Sequence, residues 1–173
     1  ELLRSADPEA FGRIYRLLAP AVQGYLLARG SQDPEALTQE VFVAVFRRSA
    51  NVTGGAAGVR TFVYSVAHAR LVDELRARGR RPAQVEYDPQ LDPRTARSAE
   101  STVVTSHSSA ATLALLDRLP DAQREVVSLR IIAGLNLEET AQVLGRSVGS
   151  VKQLQRRGLL ALRALVEGGD VTP

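Results

Sequence analysis

Reactive side chains are scarce in this sequence, which has no cysteine and two histidines. That removes disulfides, thiolate zinc sites and cysteine nucleophiles together. Two histidines also supply a metal or general-base cluster poorly. No Walker-type phosphate loop and no carboxylate cluster stands out. The expectation is therefore no catalytic residue, metal ligand, cofactor or small-molecule substrate. The groups in surplus suit contact instead. Between Arg146 and Arg163 lie five basic residues and no acid. Arg146, Lys152, Arg156 and Arg157 are interleaved with Ser147, Gly149, Ser150 and Gln153. These types reach base edges and phosphates in the major groove of duplex DNA. The start of such a helix lies nearest the bases, which favours Gly149, Ser150 and Gln153 there. Arg156 and Arg157 suit phosphates.

A second constellation lies in GVRTFVYSVAHAR, residues 58–70. A helix there places Thr61, Tyr64, Ser65 and His68 along one stripe. Aromatic and hydroxyl groups beside Arg60 suit stacking on unpaired bases. A plain solvated surface accounts for the same residues at least as well.

The elements that carry these residues read as helices throughout. Asp7-Pro8 and Asp33-Pro34 each give an N-cap followed by proline at the first helical position. Phe11, Ile14, Tyr15 and Leu18 follow the first at helical spacing. Pro20 restarts the chain, which continues through Val22, Tyr25 and Leu26 to Gly30. Leu37, Val41, Phe42, Val45 and Phe46 make the stripe of a helix over 34–48. A glycine-rich loop, 51–58, leads into a helix over about 59–78. Later, Pro120 opens a helix containing Val126, Val127 and Leu129, and Gly134 ends it. The spacing then predicts a helix-turn-helix. A short helix, 138–144, carries small Ala141 at the crossing, Gly145 permits the turn, and Ser147 caps a last helix to about 166. Val151, Leu154, Gly158, Ala161, Leu162 and Leu165 form its packed stripe.

The net charge of +3 over 173 residues hides a division. Residues 1–82 carry 12 basic and 8 acidic residues, 83–111 carry 2 and 4, and 112–173 carry 8 and 7. The middle stretch is rich in Ser, Thr, Asp, Pro and Ala, with no dependable helical period. Seven of the eight aromatics lie before it and none lies after it. The implied fold is all-α, with two small helical domains joined by a flexible linker. The boundaries are 1–82, 83–111 and 112–173, and the two modules are expected to pack independently. Lys152 is the one lysine among 22 basic residues, a bias that a GC-rich genome explains. No apolar run nears the ~18 residues of a membrane span. With no signal pattern at the start, the chain reads as cytoplasmic.

In order, LTQEVFVAVFR, VRTFVYSVAHARLVDELR and LDRLPDAQREVVSLRIIAGLNLEETAQVLGRSVGSVKQLQRR resemble a bacterial sigma factor of the extracytoplasmic-function group. The resemblance spans roughly 8–82 and 112–166. It implies an alternative sigma subunit that binds core RNA polymerase, recognises promoters and helps melt them. Gln39, Glu40 and Phe42, with Phe46 beside them, match the segment that docks on the polymerase clamp. Arg60, Thr61, Phe62, Tyr64 and Ser65 match the segment that melts and reads the -10 element as single strand. His68 continues that stripe, and the loop with Asn51 matches one that captures a flipped base. Arg146, Ser147, Ser150, Lys152, Gln153 and Arg156 match the helix that reads the duplex -35 element, flanked by Gly149 and Arg157. An anti-sigma factor is the further partner the family implies. Departures fall at Ala36, Phe62 and Ala69, where the family often has an acid, Trp and Asn. The rivals are a free-standing helix-turn-helix regulator, which would bind duplex DNA without polymerase, and an enzyme or plain interaction module.

Overall fold

The computed structural model describes residues 8–48, 52, 54–80 and 106–168. Its helices are α1 (Pro8–Ala28), α2 (Pro34–Arg48), α3 (Gly55–Arg80), α4 (Ser106–Asp117), α5 (Asp121–Val127), α6 (Leu137–Leu144) and α7 (Val148–Glu167). A π-helical turn, Ser128–Ile132, continues α5. No strand occurs among the described residues.

Helix α2 spans the residues its stripe implies, and the Asp33 carboxylate accepts from the Ala36 amide at 2.9 Å. Pro20 is a correction. Instead of restarting the chain it lies inside one continuous 21-residue helix. Proline removes one backbone bond there, at about 3 kcal/mol. Its ring faces solvent, while Ala19, Val22, Tyr25 and Leu26 on the other side are buried and outweigh that loss. The glycine loop is shorter than expected, because α3 begins at Gly55. Asn51 lies outside the described residues. The linker also ends early, since α4 starts at Ser106. Leu113 and Leu116 pack beside Ala28, and helix propagates back from that contact at little cost per residue.

The largest departure concerns the two modules, which are packed against one another rather than independently. One cluster joins Val22, Tyr25 and Leu26 of α1, Val41 and Val45 of α2, and Val63, Ala67 and Leu71 of α3. The same cluster takes in Leu129, Ala133, Leu135 and Val143 of the C-terminal half. Leu129 and Leu135 are fully buried, each worth roughly 1.5–3 kcal/mol of transfer free energy. Composition could not reveal this, because the partners are more than fifty residues apart. A smaller cluster of Val126, Ala141 and Val151 holds the helix-turn-helix together.

Candidate nucleic-acid interface

The helix-turn-helix is built by local chemistry. Asn136 caps α6 by accepting from the Glu139 amide at 2.8 Å, and the Glu139 carboxylate accepts from the Asn136 amide at 2.8 Å. This reciprocal pair is a capping box. Gly145 takes φ +61, the left-handed conformation that ends α6. Ser147 then caps α7, its Oγ accepting from the Ser150 amide at 3.2 Å. Ala141 is buried at the crossing, as its small side chain suggests.

Helix α7 divides as the wheel implies. Val151 and Gly158 are buried, and Leu154, Ala161, Leu162 and Leu165 half-buried. Arg146, Ser147, Gly149, Lys152, Gln153, Arg156 and Arg157 are exposed, and Ser150 is half-buried. Gly158 sits where α7 crosses α5, and a Cβ there would stand 2.7 Å from Val127 Cγ2. Arg130 braces the same crossing by donating to Gln155 Oε1 at 2.9 Å and to the Leu135 carbonyl. These side chains fix the angle at which the basic face is offered.

The α3 stripe sits differently from the expected exposed platform. Thr61 and Tyr64 are buried, Tyr64 completely. The Tyr64 ring meets Tyr25 edge to face at 5.8 Å. Burial pushes its hydroxyl up to about 12, and that hydroxyl has no hydrogen-bond partner. Phe62 is half-buried against the core cluster. Ser65 donates to the Thr61 carbonyl at 2.9 Å. His68 Nδ1 lies 3.3 Å from the Tyr25 hydroxyl and 3.7 Å from Glu125. Burial holds the His68 imidazole below its ordinary value, against the opposing pull of Glu125. The reason for the covered stripe is tertiary: Tyr25 of α1 packs on Tyr64 and His68, and Glu139 of α6 holds Arg60.

On α2, Gln39 and Glu40 are exposed. Phe42 is 2% exposed and belongs to the core, so it cannot itself touch a partner in this state. It packs between Phe11 and Tyr15 edge to face. Phe46, 45% exposed, is the aromatic that α2 offers outward.

Ion pairs bind the halves together. Arg29 is almost wholly buried and meets Asp121 at 2.7 Å and Glu125 at 3.6 Å. Arg60 meets both Glu139 oxygens at 2.8 Å. The Arg29 hydrogen bond, against some burial, holds Asp121 below the usual carboxylate value. Burial alone would raise Glu139, but hydrogen bonds from Arg60 and the Asn136 amide prevail and lower it.

The sigma-70 region 4 family model matches residues 115–164, the span of the helix-turn-helix and the helices before it. ShbA of Streptomyces griseus, an ECF RNA polymerase sigma factor, is 37% identical over 136 residues, covering 77% of this chain and 71% of ShbA. BldN of Streptomyces coelicolor, another, is 32% identical over 96% of this chain, which spans 64% of BldN. The chain belongs to the ECF sigma factors. It stands with alternative sigma factors rather than free-standing regulators. Its fold matches CnrH, solved in complex with the cytosolic domain of CnrY, with a TM-score of 0.72 and 22% identity over 97% of this chain and 96% of that one. It also matches the sigma factor RpoE of Bartonella quintana, solved with the anti-sigma factor NepR, with a TM-score of 0.69 and 18% identity over 91% and 96%.

Several residues of this sigma factor escaped sequence reading. Glu139 had a signal, because Asn136 followed three residues later by Glu is a capping-box signature. Arg29, Asp121 and Glu125 had none, since their pairing spans more than ninety residues. Among the described residues, no helix is long and apolar enough to cross a membrane.

Proposed function

We propose that this ECF sigma factor joins core RNA polymerase in the cytoplasm and directs it to promoters with two separate surfaces. The exposed face of α7 reads duplex DNA at the -35 element. Gly149, Ser150 and Gln153 lie nearest the bases, while Arg146, Lys152, Arg156 and Arg157 hold phosphates. Ser147 acts first as the helix cap. The α3 face, from Arg60 through Phe62 and Tyr64 to His68, takes single-stranded -10 DNA. Gln39, Glu40 and Phe46 offer the polymerase surface, and Phe11 packs edge to face against both Phe46 and the buried Phe42. An anti-sigma factor is the expected regulator, as NepR is for the RpoE neighbour. The role is non-enzymatic.

One observation carries the reading most directly. The basic residues of α7 are all exposed on one side of a braced helix-turn-helix. The energetics then require polymerase. Unstacking costs a few kcal/mol per step, and stacking on an aromatic returns ~1–3 kcal/mol per base. Phe62 and Tyr64 together cannot open a promoter. The test is in vitro transcription from a matched promoter with core RNA polymerase. Promoter-specific transcripts that vanish without this chain support the reading. Tight promoter binding by the free chain, with no transcript when polymerase is added, would sink it.

A further inference from the structure

An apolar cavity and two unserved polar atoms coincide at one place, away from the basic helix. The cavity, of about 850 Å³, lies between α1 and the start of α3. That volume falls in the range of small-molecule sites. Ala10, Ile14, Leu18 and Ala21 line it from α1, and Val59 from α3. At 1.5 Å per residue, the α1 stripe runs about 16 Å from end to end. The apolar wall is therefore as long as a medium-chain acyl tail. Leu17 lines the same cavity and is 77% exposed, so it can fold over such a tail. The charged and phenolic lining consists of Arg13, Arg60 and Tyr64, and among the described residues no Asp or Glu joins them.

We propose that this cavity binds an amphipathic carboxylate, its acyl tail along α1 and its head at Arg60 and Tyr64. The Tyr64 hydroxyl and Arg60 Nε are both buried without a hydrogen-bond partner. Buried polar atoms are ordinarily paired, and two unpaired ones in the lining of one cavity mark where a polar head belongs. Arg60 Nε can only donate, and the phenol can donate beside it. Their complement is an acceptor, and an ionised carboxylate accepts without donating. An ammonium head brings only donors and does not fit. Glu139 occupies Arg60 Nη2 with both oxygens at 2.8 Å, which leaves Nε for another partner. Arg130 also acts on Glu139, so two cations offset that carboxylate and a second one is tolerated nearby. Arg13 adds positive charge, because its pair with Glu9 at 3.7 Å is exposed and weak. The site goes beyond the promoter reading and meets it only at Arg60 and Tyr64, where a bound acyl chain would act as an effector.

The experiment titrates the full chain, without DNA or polymerase, by isothermal calorimetry. The probes are dodecanoate, decanoate and dodecylammonium, each kept below its micelle concentration. Dodecanoate should saturate a single site. Decanoate should bind about tenfold more weakly, as two fewer buried methylenes require, and dodecylammonium should not saturate. Leu17→Glu places a like charge in the cavity at an exposed position and should weaken dodecanoate at least about tenfold. Leu27→Glu puts the same charge on exposed α1 surface outside the cavity and should leave binding unchanged. Tyr64→Phe deletes an unpaired hydroxyl, so Tm should hold or rise while dodecanoate binds about tenfold more weakly. Equal binding of the ammonium and the carboxylate, uptake without saturation, or equal losses in Leu17→Glu and Leu27→Glu would overturn the site. So would unaltered dodecanoate affinity in Tyr64→Phe. Transcription with core polymerase is scored separately, so the sigma reading and the acyl site can fail independently.

Discussion

Replacing Gly158 by alanine probes the crossing that aims α7. Alanine favours helix over glycine by about 1 kcal/mol, so an open site would gain stability. The added Cβ would instead stand 2.7 Å from Val127 Cγ2 and 3.4 Å from Gln123 Cβ. Val127 is 2% exposed and has little room to retreat. Overpacking of this kind costs about 1–3 kcal/mol. The balance is a net loss of roughly 1 kcal/mol, or about 2–4 °C of Tm for a chain of this size. A double-mutant cycle with Val127→Ala sharpens it. That change alone deletes buried methyls at about 2 kcal/mol. Combined with Gly158→Ala it should cost less than the two losses added, with a coupling of at least ~0.5 kcal/mol. Calorimetry of the four proteins reads both quantities, and affinity for a -35 duplex should fall with the single Gly158 change. A Tm that rises by the helix-propensity gain, with no coupling, would refute the claim that glycine is needed for close approach.

The other predictions are simpler to read. Arg156→Ala should weaken -35 duplex binding and lower the slope of log affinity against log salt by about one; an unchanged slope contradicts a phosphate contact. Phe42→Ala should destabilise the fold by about 3–5 kcal/mol, whereas Gln39→Ala should weaken core polymerase binding in a pull-down with no change in Tm. Phe62→Ala should slow promoter opening more than closed-complex formation, and equal losses would count against a melting role. Acidification should lower stability, because His68, Asp121 and Glu139 all sit below their ordinary values in the fold. The unfolded chain then binds more protons, so stability is full above about pH 6.5 and falls as pH drops first through the His68 range, then the carboxylate range. Melting curves of His68→Gln should lack the upper part of that fall.

The helices were legible because local rules built them. Proline starts, the α2 stripe, Ala141, Gly145 and Ser147 each act within a few residues of themselves. The basic face of α7 was legible for the same reason, since periodicity separates Val151 and Gly158 from Lys152 and Arg156. Pro20 misled because tertiary burial of Val22 and Tyr25 overrode a local breaker. The exposure of Tyr64 and Phe42 misled more seriously. A helical wheel gives each face but not what covers it, and α3 packs against α1, α2 and α6 at once. The Arg29 and Arg60 pairs lie beyond any local pattern.

The guanidinium of Arg124 donates to the Ala28 carbonyl at 2.7 Å, across 96 residues of chain. That span has a consequence for synthesis. A ribosome adding about 5–20 residues per second finishes α1 roughly 5–20 s before it delivers this partner. Throughout that interval the nascent N-terminal half shows its apolar flank without Leu129 and Leu135. Translation rate across the intervening codons thus sets how long an unfinished chain stays open to chaperones, and to any regulator that recognises the bare half.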